Sequence, residues 1–261
     1  MNIKAILPKA AFPSVPNAWK QYQPNASQPL LPIGAAEVDE RLRGGITQAG
    51  LHEFFGGEKA DSHAAAAFAL LLAWRLPESD AGIFWVTGDK ERQTSGRLYP
   101  LGLSAMGGNP SQLWLVQTAD LRDALRAAAD AIRSKAARAV ILETHGNARL
   151  VDLTSTRRLA LAAAESGVLA LLVRGDAVPM PSAASTRWRI CSAPSVPLTG
   201  NAPGLPTFDI NLLRHRGGTA SFAARVTWDH ATRSFFDTPL SGGLSAPVTD
   251  TEADPQQRFR A

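Results

Sequence analysis

From about residue 50 the chain passes from scattered apolar residues to short apolar runs that alternate with helical periods. The runs "LHEFF", "GIFWVT", "LWLVQ", "AVILET" and "VLALLVR" are continuous rather than alternating, the pattern of parallel strands covered on both faces. Between them, "DSHAAAAFALLLAWRL", "LRDALRAAADAIRSKA" and "VDLTSTRRLALAAAES" place apolar residues at helical spacing. Asp61, Asp120 and Asp152 stand near the starts of these three, where a cap belongs, and Gly167 follows the last as a stop. "SGRLYPLGLSAMGG" reads as a shorter helical stretch, interrupted by Pro100 and closed by Gly107 and Gly108. Strands joined by crossover helices predict an α/β domain, its sheet mostly parallel and flanked by helices.

After "LLVRGDAVPMPSAASTRW" the texture changes. "RWRICSAPS", "TFDINLLRHRGG" and "FAARVTWDHATRSFF" alternate in part, and Gly217 with Gly218 marks a hairpin, so antiparallel strands are expected to extend the same sheet. Residues 1–43 are rich in Pro, Asn, Gln and Ser, with isolated anchors at Phe12, Val15, Trp19 and Tyr22. They read as a partly disordered arm, suited either to docking on a neighbour or to lying loose. The domain is then expected over residues 44–240, and the polar, aperiodic residues 241–261 as a disordered tail.

Composition narrows the function. At 45% hydrophobic and 19% charged over 261 residues, the chain can bury one good core. No apolar run approaches the roughly 18 residues of a membrane span, and the proline-broken N-terminus lacks the apolar core of a secretory signal, so a cytoplasmic protein without membrane contact is expected. The single Cys191 can form neither an internal disulfide nor a cysteine metal cluster and is expected as a small buried hydrophobe. Five histidines lack ligand spacing, so no metal is expected. "GLSAMGG" has Met106 where a nucleophile elbow needs its second glycine. The formal charge of +4, carried mostly by arginine, suits phosphate or an acidic partner, and a GC-rich genome produces the same mild excess.

Residues 50–76, "GLHEFFGGEKADSHAAAAFALLLAWRL", keep the outline of a phosphate-binding strand, loop and helix. A P-loop wraps phosphates in backbone N–H groups, reaches the outer ones with a lysine and binds magnesium through the next hydroxyl, in the spelling G-x-x-x-x-G-K-[ST]. Here the eight residues are Gly56, Gly57, Glu58, Lys59, Ala60, Asp61, Ser62 and His63. Asp61 replaces the second glycine, Ser62 the lysine and His63 the hydroxyl residue. A carboxylate where a triphosphate would sit costs on the order of a few kcal/mol in a partly desolvated loop. The loop is therefore expected to hold no nucleotide, and the chain to be no enzyme and to need no cofactor, with Lys59 as the one candidate to rescue the missing lysine. Glu143 ends "AVILET" where a magnesium-orienting Asp is usual, and Asp89 or Glu91 would have to position water; each also fits an ordinary solvated residue.

This order of elements, with its local spellings, resembles the RecA-like ATPase fold and more closely the ImuA family of RecA-like accessory proteins for damage-induced mutagenesis, over residues 42–237. "GGITQAGLHEFFG" looks like the entry into the RecA phosphate loop. "LGLSAMGGNPSQLWLVQTADLRDALRAAADAIRSKAARAVILE" is similar to the family's central helix, strand, helix and strand. "LVDLTSTRRLALAAAESGVLALLVR", "PSAASTRWRICSAPS" and "VTWDHATRSF" look like its next helix, strand and loop and its last hairpin strand. The segments after "AVILET" and "LLVR" are short where RecA carries long DNA-binding loops, which argues against filament cycling and strand exchange.

The resemblance implies a non-catalytic adaptor in the SOS response to DNA damage. Its partners would be an ImuB-like protein and an error-prone replicative-type DNA polymerase, with RecA as a third and a weak contact with DNA. Two alternatives stand beside it: an atypical ATPase acting on DNA, and a SulA-type cell-division inhibitor, a family usually shorter and without the extended arm. Contact candidates are Phe12 and Trp19 on the arm, Trp188 between Arg187 and Arg189 in "TRWRI", and Arg214 and Arg216 in "RHRGG". Trp188 fits base stacking or partner contact as well as a plain edge-strand position, and the two hairpin arginines fit phosphate contact as well as solvation. Trp74, Trp85 and Trp114 lie within apolar runs and are expected in the core. The closing "QQRFRA" only loosely resembles a peptide that docks on a sliding clamp.

Overall fold

Continuous apolar runs can bury both faces only in the middle of a layered structure, and the computed structural model places them there. It describes residues 28–89, 96–134 and 136–239. In chain order the elements are β1 (Leu30–Leu31), α1 (Ala36–Arg41), β2 (Ile46–Thr47), β3 (Leu51–Gly56), α2 (Ser62–Trp74), β4 (Gly82–Gly88), α3 (Pro100–Ala105) and β5 (Leu113–Thr118). There follow α4 (Leu121–Arg133), β6 (Ala137–His145), α5 (Leu153–Ser166), β7 (Leu169–Gly175), β8 (Thr186–Ala193), β9 (Thr207–His215), β10 (Phe222–Asp229) and β11 (Ser234–Thr238).

Nine strands form one sheet in the order β11-β10-β9-β8-β3-β7-β6-β4-β5, while β1 and β2 pair separately. The strands from β8 to β5 run parallel, and β9, β10 and β11 continue the sheet antiparallel. The expected α/β class therefore holds, with one correction. "RWRICSAPS", read as antiparallel, runs parallel to β3 with His52 opposite Thr186, because the connection 176–185 returns the chain along the sheet before β8 begins.

Alternation sorts side chains onto two cores. Phe54, Ile141, Leu171, Val173, Trp188 and Ile190 pack on the α2 side. Val140, Leu142, Ala170 and Leu172 meet the inner faces of α4 and α5 on the other side. Helix α2 is buried almost all round, which explains why its sequence shows a run rather than a stripe. The capping readings hold for α4 and α5, where Asp120 accepts from the Asp123 N–H at 2.9 Å and Asp152 from the Ser155 N–H at 2.7 Å. Gly167 closes α5 at φ 76°, a conformation a side chain would strain.

Three readings need changing. The stretch assigned to the arm enters the core well before residue 43: Leu31, Ile33, Val38 and Leu42 all pack on the α2 side. Two short elements broken by Pro32 and Gly34 dock residue by residue and leave no periodic pattern. Pro100 does not interrupt a helix but begins α3 at its first position, where a missing N–H costs nothing. Trp74 and Trp85 are buried as expected, but Trp114 is 59% exposed, because β5 is the sheet edge and its indole stacks on Phe84 at 6.2 Å. No helix among the described residues is long and apolar enough to cross a membrane. Phe12, Trp19, Glu91 and the tail 241–261 lie outside the described residues.

Candidate functional site

Strand β3 leads into Gly56 and Gly57, then a 3-10 turn over Lys59–Asp61, and α2 follows at Ser62. Both glycines are needed. A Cβ on Gly56 would lie 2.9 Å from the Glu58 carbonyl oxygen, and one on Gly57 would collide with the Cys191 Sγ of β8. The loop is thus pressed against β8, and the Gly57 N–H donates to the Ile190 carbonyl at 3.0 Å.

Asp61 closes this arrangement. Its carboxylate accepts from the Ser192 N–H at 3.0 Å, the Ser192 hydroxyl at 2.9 Å and the Glu58 N–H at 3.2 Å. Partial burial opposes the charge, but these hydrogen bonds outweigh it and hold the carboxyl below the usual carboxylate range. Asp61 was read as the cap of α2, yet its side chain makes no capping bond there, because β8 offers it better donors. Burial first, then the Asp61 carboxylate, push the Cys191 thiol up, and Cys191 is half-buried against Gly57 rather than enclosed in the core.

The other phosphate-loop positions are equally local. The Ser62 hydroxyl donates to the Lys59 carbonyl at 2.9 Å, while Lys59 and His63 are exposed. His63 lines a shallow groove of about 410 Å³ with Ala60, Ala64 and the 192–208 segment. Glu143 is buried and accepts from the Trp85 indole N–H at 2.9 Å. Sequence reasoning missed His145 at the end of β6. Its ring lies against Gly175, near the start of α2, with both ring nitrogens shielded and no hydrogen-bond partner among the described residues.

Two contact candidates are corrected. Trp188 is 1% exposed, donates to the Thr186 hydroxyl at 2.7 Å and meets Phe222 edge-on at 5.9 Å, so it cannot stack on a base. Arg187 bonds the buried Glu53 at 2.8 Å and lies over the Phe55 ring at 5.4 Å, and so is occupied within the fold. Their alternation was legible in "TRWRI", but which face was covered was not. Arg189, Arg214 and Arg216 are exposed; the Arg216 N–H is bonded to the Ser185 carbonyl, and Arg214 reaches the Ser182 carbonyl. Among the described residues no three His, Cys, Asp or Glu side chains gather as metal ligands would.

With this geometry in place, likeness to known proteins decides the lineage. No protein-family model matches the chain. Proteins named ImuA from two strains of Caulobacter vibrioides are 30% identical to it over 205 residues, which is 73% of this chain and 80% of theirs. The chain belongs to the ImuA family. The crystal structure of the RadB recombinase superposes with a TM-score of 0.52 at 17% identity, covering 80% of this chain and 100% of RadB. That likeness is one of fold, and it places this ImuA-family chain among RecA-like α/β domains.

Proposed function

We propose that this ImuA-family chain is a non-catalytic adaptor in damage-induced mutagenesis, holding an ImuB-like protein and an error-prone replicative-type polymerase together during the SOS response, with RecA as a further partner. Asp61 carries the reading. A fixed negative charge stands at the mouth of the loop between β3 and α2, and the N–H and hydroxyl groups that face it are already bonded to that charge. A triphosphate would have to displace the carboxylate and then lie beside it. The lysine of a working P-loop has no counterpart on α2, where Ser62 is turned back to its own turn. A RecA-like body without nucleotide turnover has no switch to drive, and what it offers is surface.

Two measurements test this. Thermal stability with millimolar Mg-ATP should not change, and a pull-down of tagged chain from DNA-damaged cells should recover the ImuB-like protein and the polymerase. A nucleotide shift that vanishes in Lys59→Ala would replace the adaptor with an atypical ATPase. Recovery of the division ring protein alone would replace it with a division inhibitor.

A further inference from the structure

The loops that follow β6 and β7 meet where they leave the carboxyl end of the sheet on the α5 side; residues 146–152 lead into α5, and 176–185 run from there back along the sheet to β8. The Val178 N–H donates to the Asn147 side chain at 2.8 Å, the Gly146 N–H to the Gly175 carbonyl at 2.7 Å, and the Ala183 N–H to the Thr156 hydroxyl at 3.2 Å. Arg187 also donates to the Met180 carbonyl. The loops are therefore fixed to each other and to α5.

Yet they present aliphatic side chains outward. Val178 is 61% exposed and Met180 54%, and on the other loop and the first turn of α5 Leu150 is 40% and Leu153 51% exposed. Well-held loops have no folding reason to face water with two such pairs on segments that are bonded to each other, and clustered exposure of this kind marks interaction surfaces.

The surrounding charge is positive. Arg149, Arg157 and Arg158 lie on the exposed side of the first loop and α5, and Arg174, Arg187 and Arg214 lie beneath or beside the second. The carboxylates on the same strand and loops are three, Glu53, Asp152 and Asp176, so the formal balance is positive whatever the pairing. Arg174 is 1% exposed, lies over the Phe55 ring at 5.6 Å, and its Nε has no hydrogen-bond partner among the described residues. Beneath the patch Arg174 and Arg187 outnumber the one buried carboxylate, Glu53, so the formal balance there is positive as well.

We propose that this surface docks a protein segment with aliphatic anchors flanked by Asp or Glu; the proposal rests on the adaptor reading above. Nucleic acid fits less well. Phosphates gain nothing from Val178, Met180, Leu150 and Leu153, and base stacking needs aromatic platforms, which neither loop exposes. Aliphatic anchors in an arginine rim match a peptide that supplies both complements.

The test uses the full chain, as wild type, Val178→Asp/Met180→Asp and Arg149→Glu. Those positions are exposed, and unchanged melting temperatures will show that the variants fold. A random peptide phage library is panned on the wild type, and selected peptides are measured by fluorescence anisotropy. The proposal expects peptides with carboxylates next to Leu, Ile or Met, an affinity at least about tenfold weaker in the double variant, and further weakening in Arg149→Glu and at raised salt. Peptides without carboxylates, or binding that the variants leave unchanged, would overturn it. So would a fluorescent single-stranded oligonucleotide, or self-association in sedimentation, that binds through the same residues. Capture of the ImuB-like protein is measured alongside: no capture by wild type sinks the adaptor reading, whereas equal capture by the double variant moves the partner to another face and sinks this proposal alone.

Discussion

Two mouths open at the carboxyl ends of the same parallel strands, one on the α2 side and one on the α5 side, and they are finished in opposite ways. On the α2 side Asp61, Ser192 and Glu58 satisfy one another, and the loop faces inward. On the α5 side buried polar groups are only partly matched, with the Arg174 Nε and one Glu53 oxygen unbonded among the described residues, and aliphatic side chains face outward. A loop whose donors are bonded to its own carboxylate has little left to offer a ligand. A surface with an excess of arginines and exposed methyl groups still does.

The comparison can be broken most sharply beneath the α5-side mouth. Arg187→Ala should cost about 3–5 kcal/mol in urea unfolding, because it leaves the buried Glu53 carboxylate without its ion-pair partner and with only the Ser182 hydroxyl bonded to it. A loss under about 1 kcal/mol would mean that Arg174 takes over the pairing and that the charge excess is not structural.

Next in size is a pH effect in the sheet between the two mouths. His52 is fully buried, donates from Nε2 to the Thr47 carbonyl at 2.8 Å and accepts at Nδ1 from the Thr186 hydroxyl at 2.7 Å, which in turn accepts from Trp188. Burial is the main cause that lowers its pKa from 6.5 to about 4. The unfolded chain therefore takes up this proton first as pH falls. The stability is fully present above about 6.5, drains away between 6.5 and 4, and amounts to about 3 kcal/mol. His52→Gln should flatten that part of the stability profile, and an unchanged slope would remove His52 as its source.

Asp61→Ala should cost less, about 1–2 kcal/mol, since it leaves the Ser192 N–H and the Glu58 N–H without an acceptor on a partly solvated loop. The variant should still show no thermal shift with Mg-ATP, and a shift would mean that the carboxylate alone had kept nucleotide out. The smallest effect is expected at Val178→Asp, within about 0.5 kcal/mol in stability, because the side chain is open to water. A large loss there would show that the outward face is packed in solution.

Much of the sheet was legible because buried parallel strands and helices between them write themselves as runs and periods, as "VLALLVR" does for β7 and "LRDALRAAADAIRSKA" for α4. The N-terminal contribution was not, since Leu31, Ile33 and Val38 each fill a separate place in the core around Pro32 and Gly34. The residues of the loop between β3 and α2 were singled out by spelling. Their partner Ser192 was not, being 131 positions away from Asp61. Trp188 was misjudged for a related reason, since flanking arginines in sequence say nothing about what lies across the sheet.

The sequence by itself determined the α/β class, the family likeness, the caps of α4 and α5 and the absence of a lysine where the P-loop spelling requires one, because each is written in local spacing or in the residue types of one short segment. Only the tertiary structure decided that β8 runs parallel to β3, that Asp61 bonds across to Ser192, and that Arg187 pairs with the buried Glu53. It also decided that Trp114 is exposed while Trp188 is enclosed. These outcomes depend on which strands become neighbours and which stands at the edge. Strand order joins residues far apart in the chain through contacts that leave no local pattern.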